Sequence, residues 1–430
     1  MDTPSGPKGT RDFYPELMNS QTRLFDSWRR TCRRYAFEEY EAPMFEHLDI
    51  YTQKSGDEIE KQLYTFEDKG GRMMALRPEM TPSLARMVAA KGNALKRPVR
   101  WYSIARLFRY EKMQKGRLRE FFQLNMDILG SEGVAAEAEL IAAVIDMLRD
   151  LGLSSGDVQV RISSRTLLEE CFAALNLPLQ RNAQLYALLD RKAKVSNEEY
   201  EDSLAAIVPE ESIRKGINTL FCAASLDDVA KLAHDAPSIV SLRELFALLG
   251  RYGFSDFVRF DIGIVRGLAY YTGTVFEVFD IDRGMRAIAG GGRYDKLVGL
   301  YGGPPTPAIG FAAGDVVLSD LLNSKGLSAP CKGRCDIFIV AIDDGGYADT
   351  VSFAQELRSG GLSCEFPLKR VSVGKQMKQA DAAGARITCF LGGEEALNGE
   401  IRIKRMSDGA ERVALHDSAL QVIKDMVGMQ

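Results

Sequence analysis

RPVRWYSIARLFRYEKMQKGRLREFFQLNMDILG, residues 97–130, is the stretch whose reading decides the fold. Successive side chains of a strand point to opposite faces, so it is read with a period of two. On the outgoing half Ala105, Leu107, Arg109 and Glu111 share one face, and Phe108 and Tyr110 the other. KMQKGRLRE is polar and basic around Gly116 and is expected to be a loop. On the return half Phe121, Gln123, Asn125 and Asp127 share a face, while Phe122, Leu124, Met126 and Ile128 make an apolar one. The pattern predicts an antiparallel hairpin with one side in a core. Its other side presents an arginine, carboxylates, amides and an aromatic ring. Polar groups leaving a sheet cost free energy unless paired or solvated. Two readings stay open at this point. One is a solvated outer face with an Arg–Glu cross-strand pair. The other is a pocket floor, where Arg109 grips a phosphate or carboxylate bidentately, Phe121 stacks on a flat ring, and Gln123 and Asp127 take a cationic amine.

Outward from the hairpin, residues 15–36 carry Leu17, Leu24, Phe25, Trp28, Cys32 and Tyr35 at helical spacing. Residues 40–110 read as strand-like and aromatic, and 134–151 as a helix ending near Gly152. The stretch from about 175 to 255 is mostly helical, has no clustered functional groups, and looks like an inserted module. Strands and glycines return over 258–320. A Gly/Pro/Ser/Lys linker, NSKGLSAPCKGRC, follows at about 322–334. Beyond it CDIFIVAI, LSCEFPL and ARITCFLG are strand runs, with helices expected at 347–359 and 372–383. IRIKRM-SDG-AERVAL predicts a hairpin, since Asp-Gly suits a tight turn, and a last helix covers 417–428. This alternation argues a separate small α/β domain.

Composition narrows the function classes. The chain has 430 residues, which suggests two or three domains, and 46% of it is apolar. It has no apolar run long enough to span a bilayer, and MDTPSGPKGTRDFYPEL lacks the apolar core of a secretory signal, so no membrane association is expected. Seven scattered cysteines fit a reducing cytoplasm. Cys331 and Cys335 form a lone C-x3-C with no second pair nearby, and no metal site built from Cys or His is expected. The histidines are His47, His234 and His416, none beside a nucleophile or paired carboxylate, which argues against triad hydrolysis. With a net charge of −4, a nucleic-acid partner would meet local basic patches.

FRYEKMQKGRLREFFQ resembles motif 2 of class II aminoacyl-tRNA synthetases, in the form found in the histidine–tRNA ligase family. PKGTRDFYP (7–15), LRPEMTPSLAR (76–86), RGLAYYTGTVFE (266–277) and GGGRYDKL (290–297) resemble the same family, in the family's order. The resemblance implies an α+β chain. Residues 1–325 would be an antiparallel-sheet catalytic domain with the helical insertion, and 335–430 a small α/β anticodon-binding domain. It implies ATP-dependent ligation of L-histidine to its tRNA through a histidyl-adenylate, with Mg²⁺ accompanying ATP, in the cytoplasm. A homodimer is implied by the motif 1-like PMFEHLDIY around Pro43.

Residue by residue, the resemblance puts Arg109 on the α-phosphate, Phe121 on adenine, and Glu111 with Arg117 facing the nucleotide. The histidine pocket maps onto Glu79, Thr81, Gln123, Asp127, Arg266, Tyr270, Tyr271 and Tyr294, with Arg109 and Arg266 as catalytic cations. Gly290, Gly291 and Gly292 would let backbone approach ligand, the alternative being a plain flexible turn. The loop 112–119 would reach the acceptor end of tRNA, and Lys369, Arg370, Lys375 and Lys378 would meet phosphates. Two positions depart from the family. Ala269 replaces the acidic residue of RGLDYY. In GFAAGDVVL (310–318), Val317 stands where motif 3 has an ATP-binding arginine. Charge balance still favours nucleotide binding, because Arg109, Arg117, Arg266, Lys112, Lys115 and Arg119 are retained. The competing readings are a histidine-sensing regulatory subunit of ATP phosphoribosyltransferase, which resembles the catalytic domain, and an RNA- or protein-binding module on the same fold.

Overall fold

The structure is a computed structural model that describes residues 4–52, 61–112, 114, 116–192, 195–233, 236–265, 270–282, 287–328 and 333–428. Arg266, Gly267, Ala269, Lys115, His234 and Cys331 lie outside the described residues. The chain divides into two compact units, Met1–Ala329 and Pro330–Gln430.

In the first unit the strands, in chain order, are β1 (Glu38–Glu39), β2 (Phe45–His47), β3 (Tyr64–Glu67), β4 (Met73–Leu76), β5 (Val99–Phe108), β6 (Glu120–Leu129), β7 (Val158–Ser164), β8 (Val258–Phe260), β9 (Thr274–Asp280), β10 (Ala287–Arg293) and β11 (Ala308–Gly314). Eight of them form one sheet in the order β1-β5-β6-β11-β10-β9-β7-β8, and β2-β4-β3 form a small second sheet. The large sheet is antiparallel except at its ends, where β1 pairs with β5 and β7 with β8 in parallel. The hairpin β5–β6 has the expected register, with Ala105 opposite Gln123 and Leu107 opposite Phe121. The outgoing strand stops at Phe108, so Arg109 and Glu111 lie past the pleat and not on it.

Both faces of this sheet are covered. Leu124, Met126 and Ile128 of β6, Phe311 of β11 and Phe276 of β9 point into a first core under the helices Pro15–Arg34 and Ala135–Asp150. The first helix starts on a proline, buries Leu24, Phe25, Trp28 and Cys32 at helical spacing, and stops before Ala36, which has φ 56°. Trp101, Ala105, Leu107, Phe121, Tyr270, Tyr271 and Tyr294 belong to a second core on the opposite face. The solvated-face alternative is therefore excluded: Asn125 and Asp127 are each 3% exposed.

Three expectations need correction. Residues 40–110 are not all strand, because Asp49–Thr52 and Thr81–Lys91 are helical. Pro82 at the start of the second of these is tolerated where its missing N–H would be unpaired anyway. The helical module begins earlier than 175, with Arg165–Ala174, and continues through Asn182–Arg191, Asn197–Ile207, Glu211–Phe221, Leu226–Ala230 and Pro237–Arg251. The linker starts later than 322, because the helix Asp315–Ser324 runs into it.

The second unit contains β12 (Ile337–Ala341), β13 (Cys364–Glu365), β14 (Ile387–Leu391), β15 (Glu400–Arg405) and β16 (Glu411–Leu415), in the order β13-β12-β14-β15-β16. β12 and β14 are parallel and wholly buried, whereas β15–β16 is the antiparallel hairpin turned at Gly409, with φ 73°. The helix Val373–Ala382 is oriented by buried Gln376. Its side-chain oxygen accepts from the Ala341 N–H and its amide donates to the Ala341 carbonyl, each at 2.8 Å. That orientation leaves Lys375 and Lys378 exposed on one side.

Candidate active site

The floor of the site is made by what two strands lack. On the second-core face of β10 and β11 stand Gly290, Gly292, Gly310, Ala312 and Gly314, with Gly292 opposite Gly310 and Gly290 opposite Ala312. On β11 the alternate positions Ile309, Phe311 and Ala313 face the first core. Gly290–Gly292 are thus mid-strand residues and not a turn. A Cβ at Gly292 would come within 2.9 Å of the Tyr271 ring, and one at Gly310 would collide with the Asp127 carboxylate. Gly310 is directly opposite Asp127 in the β6–β11 ladder, so the glycine gives that carboxylate its place. A Cβ at Gly314, opposite Gln123, would meet open space.

Two buried carboxylates stand above this floor, each tied to a phenol. The Tyr294 hydroxyl donates to Asp127 Oδ1 at 2.6 Å, and the Tyr270 hydroxyl to Glu79 Oε2 at 2.7 Å. The Thr81 hydroxyl lies beside the same Tyr270 phenol. Tyr270 meets Tyr271 edge to face at 5.2 Å and Tyr294 at 6.1 Å. Burial drives the Asp127 carboxyl up to about 7, against the opposing hydrogen bond from Tyr294. Burial, with the neighbouring carboxylates, also drives the Tyr270 and Tyr294 phenols well up.

Two further arginines hold these groups in place and were not legible in the sequence. Arg77 is 1% exposed, donates to the Ala42 and Arg106 carbonyls, and pairs with Glu41 at 2.5 Å, which fixes the segment leading to Glu79. Arg293 grips Glu137 of the helix Ala135–Asp150 through two bonds of 2.7 Å, anchoring the strand end that precedes Tyr294. Nothing local distinguishes either from a surface arginine. Gly310 had a signal, the run of small residues at alternate positions of AIGFAAG.

Past the end of the hairpin, Arg109 donates to the Pro78 carbonyl at 2.9 Å and its guanidinium lies 5.1 Å from the Phe121 ring centroid. Glu111 pairs with Arg117 at 3.1 Å. Arg119 covers the Tyr110 ring at 4.1 Å, and its N–H, like that of Glu120, donates to the Gly9 carbonyl. So the N-terminal KGTRDF segment straps the loop's exit. Arg11 of the same segment pairs with Asp315 at 2.7 Å, and Asp315 also accepts the Phe122 N–H. Asp315 is fully buried, and burial raises its carboxyl against the pull of Arg11. Two residues on, Val317 packs against the first core.

The geometry brings Glu79, Thr81, Asp127, Tyr270, Tyr271 and Tyr294 together, with Gln123 on the same strand face as Asp127. Arg109, Glu111, Arg117 and Phe121 gather at the hairpin end. In the second unit, Arg370 pairs with Asp344 at 2.7 Å and lies over the Tyr347 ring, while Lys369, Lys375 and Lys378 are exposed.

Comparison with known proteins gives this arrangement a family. The model described as "Histidyl-tRNA synthetase" matches residues 9–315, and that of "Anticodon binding domain" matches 336–426. The chain is 41% identical to the histidine–tRNA ligase of Opitutus terrae, covering 97% of both chains. It is 38% identical to the chloroplastic/mitochondrial histidine–tRNA ligase of Arabidopsis thaliana, over 96% of this chain and 85% of that one. A crystal structure of histidyl-tRNA synthetase from Nostoc sp. superposes with a TM-score of 0.83 at 24% identity, covering 99% of this chain and 100% of that one, a likeness of fold. With both family models matched in order over most of its length, the chain belongs to the histidyl-tRNA synthetase family of class II aminoacyl-tRNA synthetases.

Proposed function

We propose that the tyrosine-walled floor is the histidine pocket and the hairpin end the ATP shelf of this enzyme. As a family member the chain ligates L-histidine to its tRNA at the expense of ATP. The observation that carries the pocket assignment is the pair of buried carboxylates, each held by a tyrosine hydroxyl above a glycine floor. Glu79, Thr81, Gln123, Asp127, Tyr270, Tyr271 and Tyr294 would receive the ammonium group and the imidazole. An imidazole can satisfy carboxylates and phenols that an apolar side chain would leave unpaired, which is how a buried polar site rejects wrong amino acids. Arg266 keeps the catalytic role that the resemblance gives it.

Arg109 would hold the α-phosphate, Phe121 would stack on adenine, and Glu111 and Arg117 would face the nucleotide. The histidine carboxylate attacks the α-phosphorus, a P–O bond forms, and pyrophosphate leaves. The protein's part is positioning and positive charge. Mg²⁺, expected with ATP, adds charge at the phosphates. Since Val317 is packed against the first core, the remaining cations carry the work of the motif 3 arginine. Substituting Arg117 should then raise the KM for ATP more than that for histidine. ATP–pyrophosphate exchange with histidine tests the whole reading. Purified protein that binds histidine yet exchanges no pyrophosphate would be a histidine sensor and not a ligase.

The matched anticodon-binding region would place Lys369, Lys375 and Lys378 against tRNA phosphates. A cytoplasmic site of action fits, since among the described residues no helix is long and apolar enough to cross a membrane. A homodimer is supported by the small sheet near Pro43, where Met44, Phe45, Phe66 and Met73 are exposed and Phe45 meets Phe66 at 5.9 Å. Light scattering should give twice the chain mass at micromolar concentration.

A further inference from the structure

Arg165 begins the first helix of the inserted module and is 7% exposed. Its Nη1 donates to the Tyr271 carbonyl and its Nε to the Val265 carbonyl, each at 3.2 Å. Its main-chain N–H donates to the Gly273 carbonyl at 2.9 Å, and the neighbouring Thr166 hydroxyl to that of Thr272 at 3.1 Å. Three consecutive carbonyls, 271 to 273, are therefore each held by residue 165 or 166. On the other side, the Thr272 N–H donates to the Arg293 carbonyl at 2.8 Å, so this segment is fixed between the module's first helix and β10. The guanidinium also lies 5.4 Å from the ring centroid of Tyr186, in the helix Asn182–Arg191 of the module. The Tyr186 hydroxyl is turned back to Glu169 at 3.4 Å.

We propose that Arg165 is a positioning residue that couples the helical module to the histidine pocket, holding the main chain at Tyr271 while Tyr186 packs on its guanidinium. The inference rests on the pocket assignment above. The physical reason lies in the shape of the side chain. A planar guanidinium reaches two carbonyls at fixed angles, which an ammonium on a flexible stem does not do. The Tyr271 ring lies over Gly292, where even a Cβ would come within 2.9 Å of it, so a displaced main chain at Tyr271 carries the ring across the floor. A shift of the module's helices relative to Arg165 is passed to the wall of the pocket, and by linkage histidine binding is passed back to the module.

The test is ATP–pyrophosphate exchange on the full chain with Arg165→Lys, Tyr186→Ala and Tyr186→Phe. Displacing a pocket wall by a fraction of an ångström is expected to raise the KM for histidine about tenfold in Arg165→Lys and about threefold in Tyr186→Ala. The KM for ATP should stay within about twofold, and Tyr186→Phe, which keeps the ring, should match the parent. A folded Arg165→Lys with an unchanged KM for histidine overturns the proposal. So does an equal rise in both KM values, which marks general loosening. If Arg165→Lys does not fold, Tyr186→Ala decides, and an unchanged histidine KM there counts against the coupling. Glu79→Gln, run in parallel, separates the two readings. No effect of Glu79→Gln removes the pocket assignment itself, whereas a large effect beside silent Arg165 and Tyr186 variants removes only the coupling.

Discussion

The two faces of the eight-stranded sheet are both buried, but they are built on different terms. The first-core face carries Leu124, Met126, Ile128, Phe276 and Phe311 under two long helices. Its requirement is volume, and many apolar combinations meet that. The second-core face carries Asp127, Glu79 and three tyrosines over glycines. Its requirement is directional, with Asp127 and Glu79 each meeting a tyrosine hydroxyl, because a buried carboxylate without a partner costs more than its bond is worth. One face holds the domain together, and the other spends part of that stability on a site.

Asp127→Asn should have the largest effect and sharpens the contrast most. It keeps the shape and removes a charge, and histidine-dependent exchange is expected to fall by about 10²–10³ in kcat/KM. Stability should move the other way. The folded carboxyl titrates near 7, above its ordinary value of 3.8, so the folded state holds its proton longer than the unfolded one. Its penalty is absent below the ordinary value, grows as pH rises from about 4 to about 7, and is constant beyond. Denaturant titrations at several pH values should show the parent losing a few kcal/mol over that window, roughly three pKa steps of 1.36 kcal/mol at most. The asparagine variant should lose less. A parallel pH dependence in both proteins would mean that Asp127 ionises freely.

Leu124→Ala, three residues along β6 from Asp127 and on the other face, should do the reverse. The side chain is fully buried, and its loss should cost about 2–5 kcal/mol in chemical denaturation. The KM for histidine in folded protein should stay within about twofold. A large KM change would show that the sheet transmits packing defects to the site, and the two faces would not be separable.

Val317→Arg should have the smallest effect. It restores the family's motif 3 residue at a position that packs against the first core. The expected result is a loss of about 1 kcal/mol in stability, as for a charge forced onto a partly buried apolar surface. The KM for ATP should not fall. A several-fold drop in that KM would break the comparison, since the position would then reach the nucleotide from the apolar side.

Local periodicity accounts for most of what could be read in advance. The alternation in FFQLNMDIL names both faces of β6, and the helical spacing in 15–36 names the first-core side of that helix. The glycines of β10 resisted reading, because three in a row look like a turn unless the neighbouring strand is known. The helix Thr81–Lys91 was hidden among strand-like aromatics, and the true end of β5 at Phe108 by continued alternation through Glu111.

The sequence by itself determined which residues of β6 share a face, where the first helix and the strands of the second unit fall, and which family the motifs resemble. Only the tertiary structure decided what covers each face. Tyr270 and Glu79 are 191 residues apart, Tyr294 and Asp127 are 167 apart, and Arg165 and Tyr271 are 106 apart. Alternation along one strand says which side a carboxylate takes, but not whether water or a tyrosine waits there. Burial and partner together set the charge of Asp127, and both come from segments distant in the chain.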